Sequence, residues 1–305
     1  MRSARSVMKS GGSLVISLPR GWAERIGVRA GEELLVEEAG SVLIISPITD
    51  WRRSTAITIR YGEGGLPMLR NKVMAAYLLG YDAIKVEAPT SVRRMVEDLL
   101  NKVKEKLLGV EIIGEDLTLK VLVSHETLKP RDVLARMGKI SKDSVDDALT
   151  ALIEDDAHVA QLVIKSDEDV DRLYFYMVRM LRSCTTDPSL QAKLNLTGIN
   201  LLDYRLVSYL LENINDNAVI LAKHVGKLKN KNTEHLRRIR DLLIENHDEA
   251  LHIFMNRSIE PLEDLRKKIR EVKTLIRRIP TELREPILNI ANMQHDIADL
   301  VQITL

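Results

Sequence analysis

Three pairs of acidic residues carry the chemistry most readily read from this sequence: Asp167 with Asp171, Glu212 with Asp216, and Glu260 with Asp264. In each pair the carboxylates stand four residues apart, so a helix through them places both on one face, one turn apart. Like charges at that spacing destabilise a helix by about 0.2–0.5 kcal/mol. Hard oxygen donors gathered from neighbouring helices are how helical bundles hold divalent or trivalent metal ions. A bound cation would offset the repulsion. One such pair is also what a solvated acidic face looks like; three at corresponding places in a repeated bundle favour the metal reading. Residues 141–171 are acidic throughout, with ten carboxylates against Lys142 and Lys165.

A second set of charges lies at the other end. Arg2, Arg5, Lys9 and Arg20 are the only charged side chains before Glu24, and acids outnumber bases in the following residues to Asp50. Cations along the first strand could neutralise phosphates, and the released counterions would drive DNA binding that weakens with salt. Composition alone leaves solvated strand ends as an equal alternative. The formal net charge of the whole chain is +1, so any nucleic-acid contact must be local. The single cysteine, Cys184, excludes an intrachain disulfide and reads as a small core residue. None of the seven histidines forms an i,i+4 pair with another, and surface or helix-end positions are expected for all; His295 beside Asp296 has a weak claim as a ligand. Trp22 reads as a core anchor of a dimer, and the basic run 263–278 as an exposed helix face paired with nearby acids. No nucleophile–base pairing or glycine-rich phosphate cradle is present, so an enzyme is not expected.

Three textures position these groups. Residues 1–50 read as a strand over 14–18, a short helix ending at Ile26 with Gly27 as its C-cap, and a hairpin of 33–38 with 42–46. Fifty such residues bury little core alone, so dimerisation is expected. Residues 51–128 read as a small α/β domain: strand 56–60, helix 66–79, strand 83–87, helix 91–107, then strands 110–114 and 117–123. Residues 129–305 read as six helices in two sets of three, 129–226 and 227–305, with apolar residues at three- and four-residue spacing. The first set is predicted as 130–164, 167–184 and 188–225, the second as 233–254, 259–279 and 281–302. Joints are expected near 48–53 and 125–130. The fold class is therefore α+β and multidomain. Neither end nor interior carries an apolar run of signal-peptide or transmembrane type, so a cytoplasmic protein with no membrane insertion is expected.

At the N-terminus, Val15-Ile16-Ser17-Leu18-Pro19, Gly27-Val28-Arg29-Ala30-Gly31 and the hairpin after Glu32 resemble the AbrB/MazE/SpoVT swapped-hairpin family over about 45 residues. The resemblance implies an interdigitated homodimeric β-barrel, with Arg5, Lys9 and Arg20 contacting DNA and Arg2 as an arm. In the helical part, SDEDVDRLYFYMVRML and LLENINDNAVILAKHV resemble the motif helices of the PhoU family, two three-helix bundles with E/D-x-x-x-D motifs on the second and third helix of each. That implies metal ligands at Asp167, Asp171, Glu212, Asp216, Glu260 and Asp264. A fourth pair should lie on the last helix, but Leu288 and Asn292 stand there, which puts one metal cluster in doubt. Both resemblances together match an arrangement found among archaeal phosphate-uptake regulators. They imply a DNA-binding transcriptional regulator of phosphate uptake, a homodimer or higher homo-oligomer, whose body senses metal, phosphate or a partner. The alternative is an adaptor that dimerises through its head and docks on a phosphate-transporter ATPase or a sensor kinase without binding DNA.

Overall fold

The computed structural model describes residues 4–39, 42–47, 56–114, 116–123, 128–229 and 231–304. Contacts divide the chain into two compact units, 1–54 and 55–305. The first contains two antiparallel hairpins, β1 (Met8–Ser10) with β2 (Ser13–Val15) and β3 (Leu34–Ala39) with β4 (Val42–Pro47), and between them helix α1 (Arg20–Ile26). Gly27 caps α1 in the left-handed region, φ 76°, as its position in the sequence predicts. The predicted strand over 14–18 is shorter and pairs with an additional strand, β1. The predicted turn of the second hairpin, Ala39-Gly40-Ser41, falls in part outside the described residues.

The second unit opens with a four-stranded sheet. Its strands β5 (Ala56–Arg60), β6 (Ala83–Glu87), β7 (Val110–Ile113) and β8 (Thr118–Val121) run in the order β5-β6-β8-β7. β5 and β6 are parallel and the other pairings antiparallel. Strict alternation puts Ile59, Ile84, Val86 and Leu119 on a buried face. Helices α2 (Gly65–Leu78) and α3 (Arg93–Glu105) cover that face with Leu69, Val73, Val96 and Leu100. Each fully buried aliphatic side chain here contributes about 2 kcal/mol.

Six long helices follow: α4 (Pro130–Glu154), α5 (Ala157–Thr186) and α7 (Gly198–Ala222), then α8 (Thr233–Asn256), α9 (Leu262–Leu275) and α10 (Thr281–Thr304), with a short α6 (Pro188–Lys193) after α5. The two sets share one hydrophobic core, because α4 packs on α8 and α7 on α10. Two helix breaks differ from the sequence reading. The predicted helix over 130–164 ends at Glu154, because Asp155 turns left-handed (φ 59°) and the Asp156 carboxylate accepts the backbone N–H groups of His158 and Val159 at 2.8 and 3.1 Å. The predicted helix over 188–225 is divided at Asn195 (φ 52°), after which Thr197 and Asn200 form a capping box for α7. Cys184 is buried as expected.

One histidine departs from its expected surface place. His247 of α8 is fully buried, and its Nε2–H donates to the Gly138 carbonyl of α4 at 2.9 Å. Gly138 permits that approach: a Cβ there would lie 2.4 Å from the Leu251 side chain of α8. Burial pushes the imidazole down to about 4, so it stays neutral.

The α/β layer is tied to the bundle by Arg179 of α5, whose side chain is 1% exposed. Its Nη1 donates to the carbonyls of Tyr77 and Tyr81 at 2.8 Å each, and its Nη2 to the Asp82 carboxylate. The guanidinium also lies 5.1 Å from the Tyr77 ring centre. Removing one partner of a buried ionic network leaves the others unsatisfied. Arg179→Ala is therefore expected to cost about 3 kcal/mol or more. Urea unfolding measures that loss, and amide exchange should quicken first in α2 and β6.

Candidate functional site

The carboxylates of the first bundle stand on two packed helices. Asp167 and Asp171 occupy successive turns in the interior of α5, and Glu212 and Asp216 successive turns of α7. The break at Asp155–Asp156 makes α5 long enough to carry its pair mid-helix, where the predicted boundary had set it at a helix start. The four groups act on one another. Burial pushes the Asp171 carboxyl up to about 6, and the neighbouring charges of Asp167 and Asp216 add to it. Burial raises Glu212 further, to about 7, with Asp216, Asp171 and Asp167 adding repulsion. Asp216 is raised by burial and by Asp167.

Neighbouring residues hold the cluster in place. The buried Asn215 donates from Nδ2 to Asp167 Oδ1 at 2.8 Å, and Asn213 donates to Glu212 Oε2 at 2.9 Å. Lys106, which caps α3 of the α/β layer, opposes the rise at Asp171, and Arg205 opposes it at Glu212. None of these four was singled out from the sequence. Asn213 and Asn215 lie within the second motif, between Glu212 and Asp216, and that proximity was the available signal; Lys106 enters only through tertiary packing. The donor set is all hard oxygen, as a divalent or trivalent cation requires. As the side chains stand, no three His, Cys, Asp or Glu groups among the described residues lie together in metal-holding geometry, so ligation would need rotamer changes that draw the carboxylates together.

The second bundle is built differently. Glu260 and Asp264 are not a pair on one helix face, because Glu260 lies in the turn before α9 and its carboxylate accepts from Ser258. Pro261 sets the helix start one residue later. Asp264 instead meets the ammonium of Lys268 at 3.1 Å. The same ammonium contacts Glu245 of α8 at 3.2 Å and also bonds Glu249. Burial lowers the lysine's affinity for its proton, but three carboxylates outweigh it and hold the group firmly charged. Leu288 of α10 packs against the core where a ligand pair was sought. His295 lies 3.5 Å from Asp299, which also takes a bond from Arg266 at 3.0 Å. In the basic run of α9, Arg266 and Lys268 are thus paired with acids, Arg266 also meeting Glu263, and Glu271 accepts from Arg238 of α8.

In the N-terminal unit, Arg5 and Lys9 are exposed, Lys9 on β1 opposite Leu14 of β2. Arg20 is exposed and bonds Glu24 at 2.8 Å, a surface pair of small energetic weight. Arg2 lies outside the described residues. Among the described residues of this unit none is buried: Leu14 is 76% exposed and Val7 60%, and Trp22 is half-buried.

Residues 134–225 match the PhoU domain. The matched span contains all four carboxylates of the first bundle and ends before the second, where Lys268 stands. Residues 7–53 match a domain described as "Antidote-toxin recognition MazE, bacterial antitoxin". Both are regulatory rather than catalytic domain families. No curated protein matches the chain. Among solved structures, PhoU from Pseudomonas aeruginosa is 16% identical, covering 58% of this chain and 95% of that one with a TM-score of 0.43. Among the described residues no helix is long and apolar enough to cross a membrane.

The raised carboxyls of the first bundle give a pH signature. A group with a raised folded value binds its proton more tightly in the folded state, so its stabilisation is present below the ordinary carboxyl range and lost as pH rises through about 6 to 7. In chelator, the thermal midpoint of the protein relative to Glu212→Gln should fall between pH 4.5 and 7.5. Added divalent cation should restore it at pH 7.5 and have little effect at pH 5.

Proposed function

We propose that the chain is a transcriptional regulator of phosphate uptake that binds DNA as a homodimer through its N-terminal unit and senses its effector through the PhoU domain. The observation that carries the reading is the N-terminal unit itself. It exposes Val7, Met8, Leu14, Ile16, Val36, Val42 and Leu43, an apolar load that a monomer in water does not sustain. A second copy of the same hairpins would cover those side chains. Arg5, Lys9 and Arg20 of both copies would then follow a DNA backbone, with Arg2 as an additional contact. The MazE-type match supports this use of the unit.

In the body, Asp167, Asp171, Glu212 and Asp216 would hold a divalent or trivalent cation. The cation would supply the positive charge that Lys106 and Arg205 supply only in part. Asn215 and Asn213 would fix the carboxylates against rotation. An adaptor that docks on a transport ATPase or a sensor kinase is the second reading. It is favoured by the exposed apolar residues Ile199, Leu202, Leu206 and Tyr209, which recur at helical spacing along α7.

Gel retardation on promoter duplexes of phosphate-uptake genes separates the two. The regulator should bind with log affinity falling linearly in log salt, and Arg5→Glu with Lys9→Glu should abolish retardation while the dimer persists in sedimentation. Unchanged retardation by that double variant would exclude the proposed DNA edge, and no retardation of the parent at low salt would leave the adaptor. Metal analysis of the purified protein tests the body. Asp171→Ala with Asp216→Ala should remove at least half of any bound metal, whereas Glu260→Ala should leave it unchanged.

A further inference from the structure

A third polar site lies at the seam between the two bundles. It is a cavity of about 220 Å³ where the start of α4 brings Arg131, the start of α7 brings Asp203 and Tyr204, and the end of α8 brings Phe254 and Arg257. Its charges are not consumed by the fold. Among the described residues neither arginine makes an ion pair, and Arg131 has only a long bond, 3.4 Å, to the Met255 carbonyl. Both guanidinium groups act on Tyr204, so they converge on one space from opposite bundles. Arg257 is held left-handed (φ 52°, ψ 41°) as the C-cap of α8, a conformation that is disfavoured for arginine and that glycine adopts freely. The wall is aromatic: the Tyr204 and Phe254 rings meet edge to face at 5.9 Å.

Two unpaired guanidinium groups beside an aromatic wall suit a compact oxyanion, which takes charge-assisted, forked hydrogen bonds from arginine. Asp203 narrows the class. A carboxylate in an anion site repels an ion that has no proton to give, but it accepts a hydrogen bond from an ion that carries one. Sulfate has none at neutral pH; hydrogenphosphate has a P–OH group. Burial makes the Asp203 carboxyl more basic than usual, with Arg257 opposing, which strengthens it as that acceptor. We propose that this cavity binds orthophosphate, with Arg131 and Arg257 meeting its charge and Asp203 accepting its proton. The anion would join α4 and α7 of the first bundle to α8 of the second, so its binding would stiffen the seam between them.

Isothermal titration of the full chain in chelator, so that no metal-bound phosphate contributes, tests this with orthophosphate, glycerol 3-phosphate and sulfate. Orthophosphate should bind saturably at one site per chain, with sulfate about tenfold weaker or more. Glycerol 3-phosphate, whose phosphate group is fully ionised above about pH 7, should bind as weakly as sulfate. Arg257→Ala and Arg131→Ala should each weaken binding about tenfold or more. Arg60→Ala, on the distant sheet, should not. Asp203→Asn should bring sulfate and phosphate to equal affinity. The proposal is overturned if orthophosphate does not bind, or if sulfate binds equally well to the parent. Unaltered binding by Arg257→Ala, with native circular dichroism, would overturn it as well. None of these readouts depends on DNA binding, so they stand or fall apart from the regulator reading.

Discussion

A guanidinium cannot be taken out of water without partners, and Arg179 is where this molecule meets that condition. Its hydrogen bonds end on Tyr77, Tyr81 and Asp82, at the close of α2 and the approach to β6. The α/β layer is thereby fixed to α5, and α5 also carries Asp167 and Asp171. Eight residues separate Asp171 from Arg179, about 12 Å along a rigid helix. The same layer sends Lys106 back toward Asp171. The carboxylate cluster and the α/β layer are therefore linked twice, once mechanically through α5 and once electrostatically through Lys106. A change of charge at the cluster acts on both.

The two bundles answer the same electrostatic problem in different ways. In the second, Lys268 is a cation supplied by the chain itself, held among Glu245, Glu249 and Asp264. It cannot leave, so those three acids keep a fixed cation. In the first, four carboxylates face two partly effective cations, and two of them are raised into the range of physiological pH. Such a cluster exchanges protons, and it would exchange metal ions, at little cost. The sensing role proposed for the body requires a group whose occupancy can change, and the first bundle holds two such carboxyls.

Local pattern made much of this legible. Alternation placed β5 and β6 at their observed bounds, because a sheet covered on one face imposes a period of two. Gly27 was readable because a left-handed C-cap selects for glycine. The pairs Asp167/Asp171 and Glu212/Asp216 were readable because helical spacing is local, and packing brings them together. What was missed depended on other things. The breaks at Asp155 and Asn195 rest on left-handed residues that are not glycine, so the usual signal was absent. Glu260 has the right spacing to Asp264, but Pro261 begins the helix after it. His247 and Arg179 are polar residues buried by tertiary partners more than ninety positions away, and no local pattern records such partners.

Two buried titrations of opposite sign follow from the same architecture. His247 is held neutral by burial against Gly138, so as pH falls below the ordinary imidazole range the unfolded chain takes up a proton that the folded chain refuses, and stability declines. Asp171 and Glu212 behave inversely, since the folded state binds their protons more tightly and gains stability as pH falls toward the ordinary carboxyl range. Between about pH 4 and 7 the two effects partly cancel. A metal ion at the cluster would remove the carboxyl contribution alone and leave the histidine's. Cation binding would therefore move the pH of maximum stability upward, toward neutrality, where Glu212 is otherwise half-protonated and the repulsion among the four acids is only partly relieved.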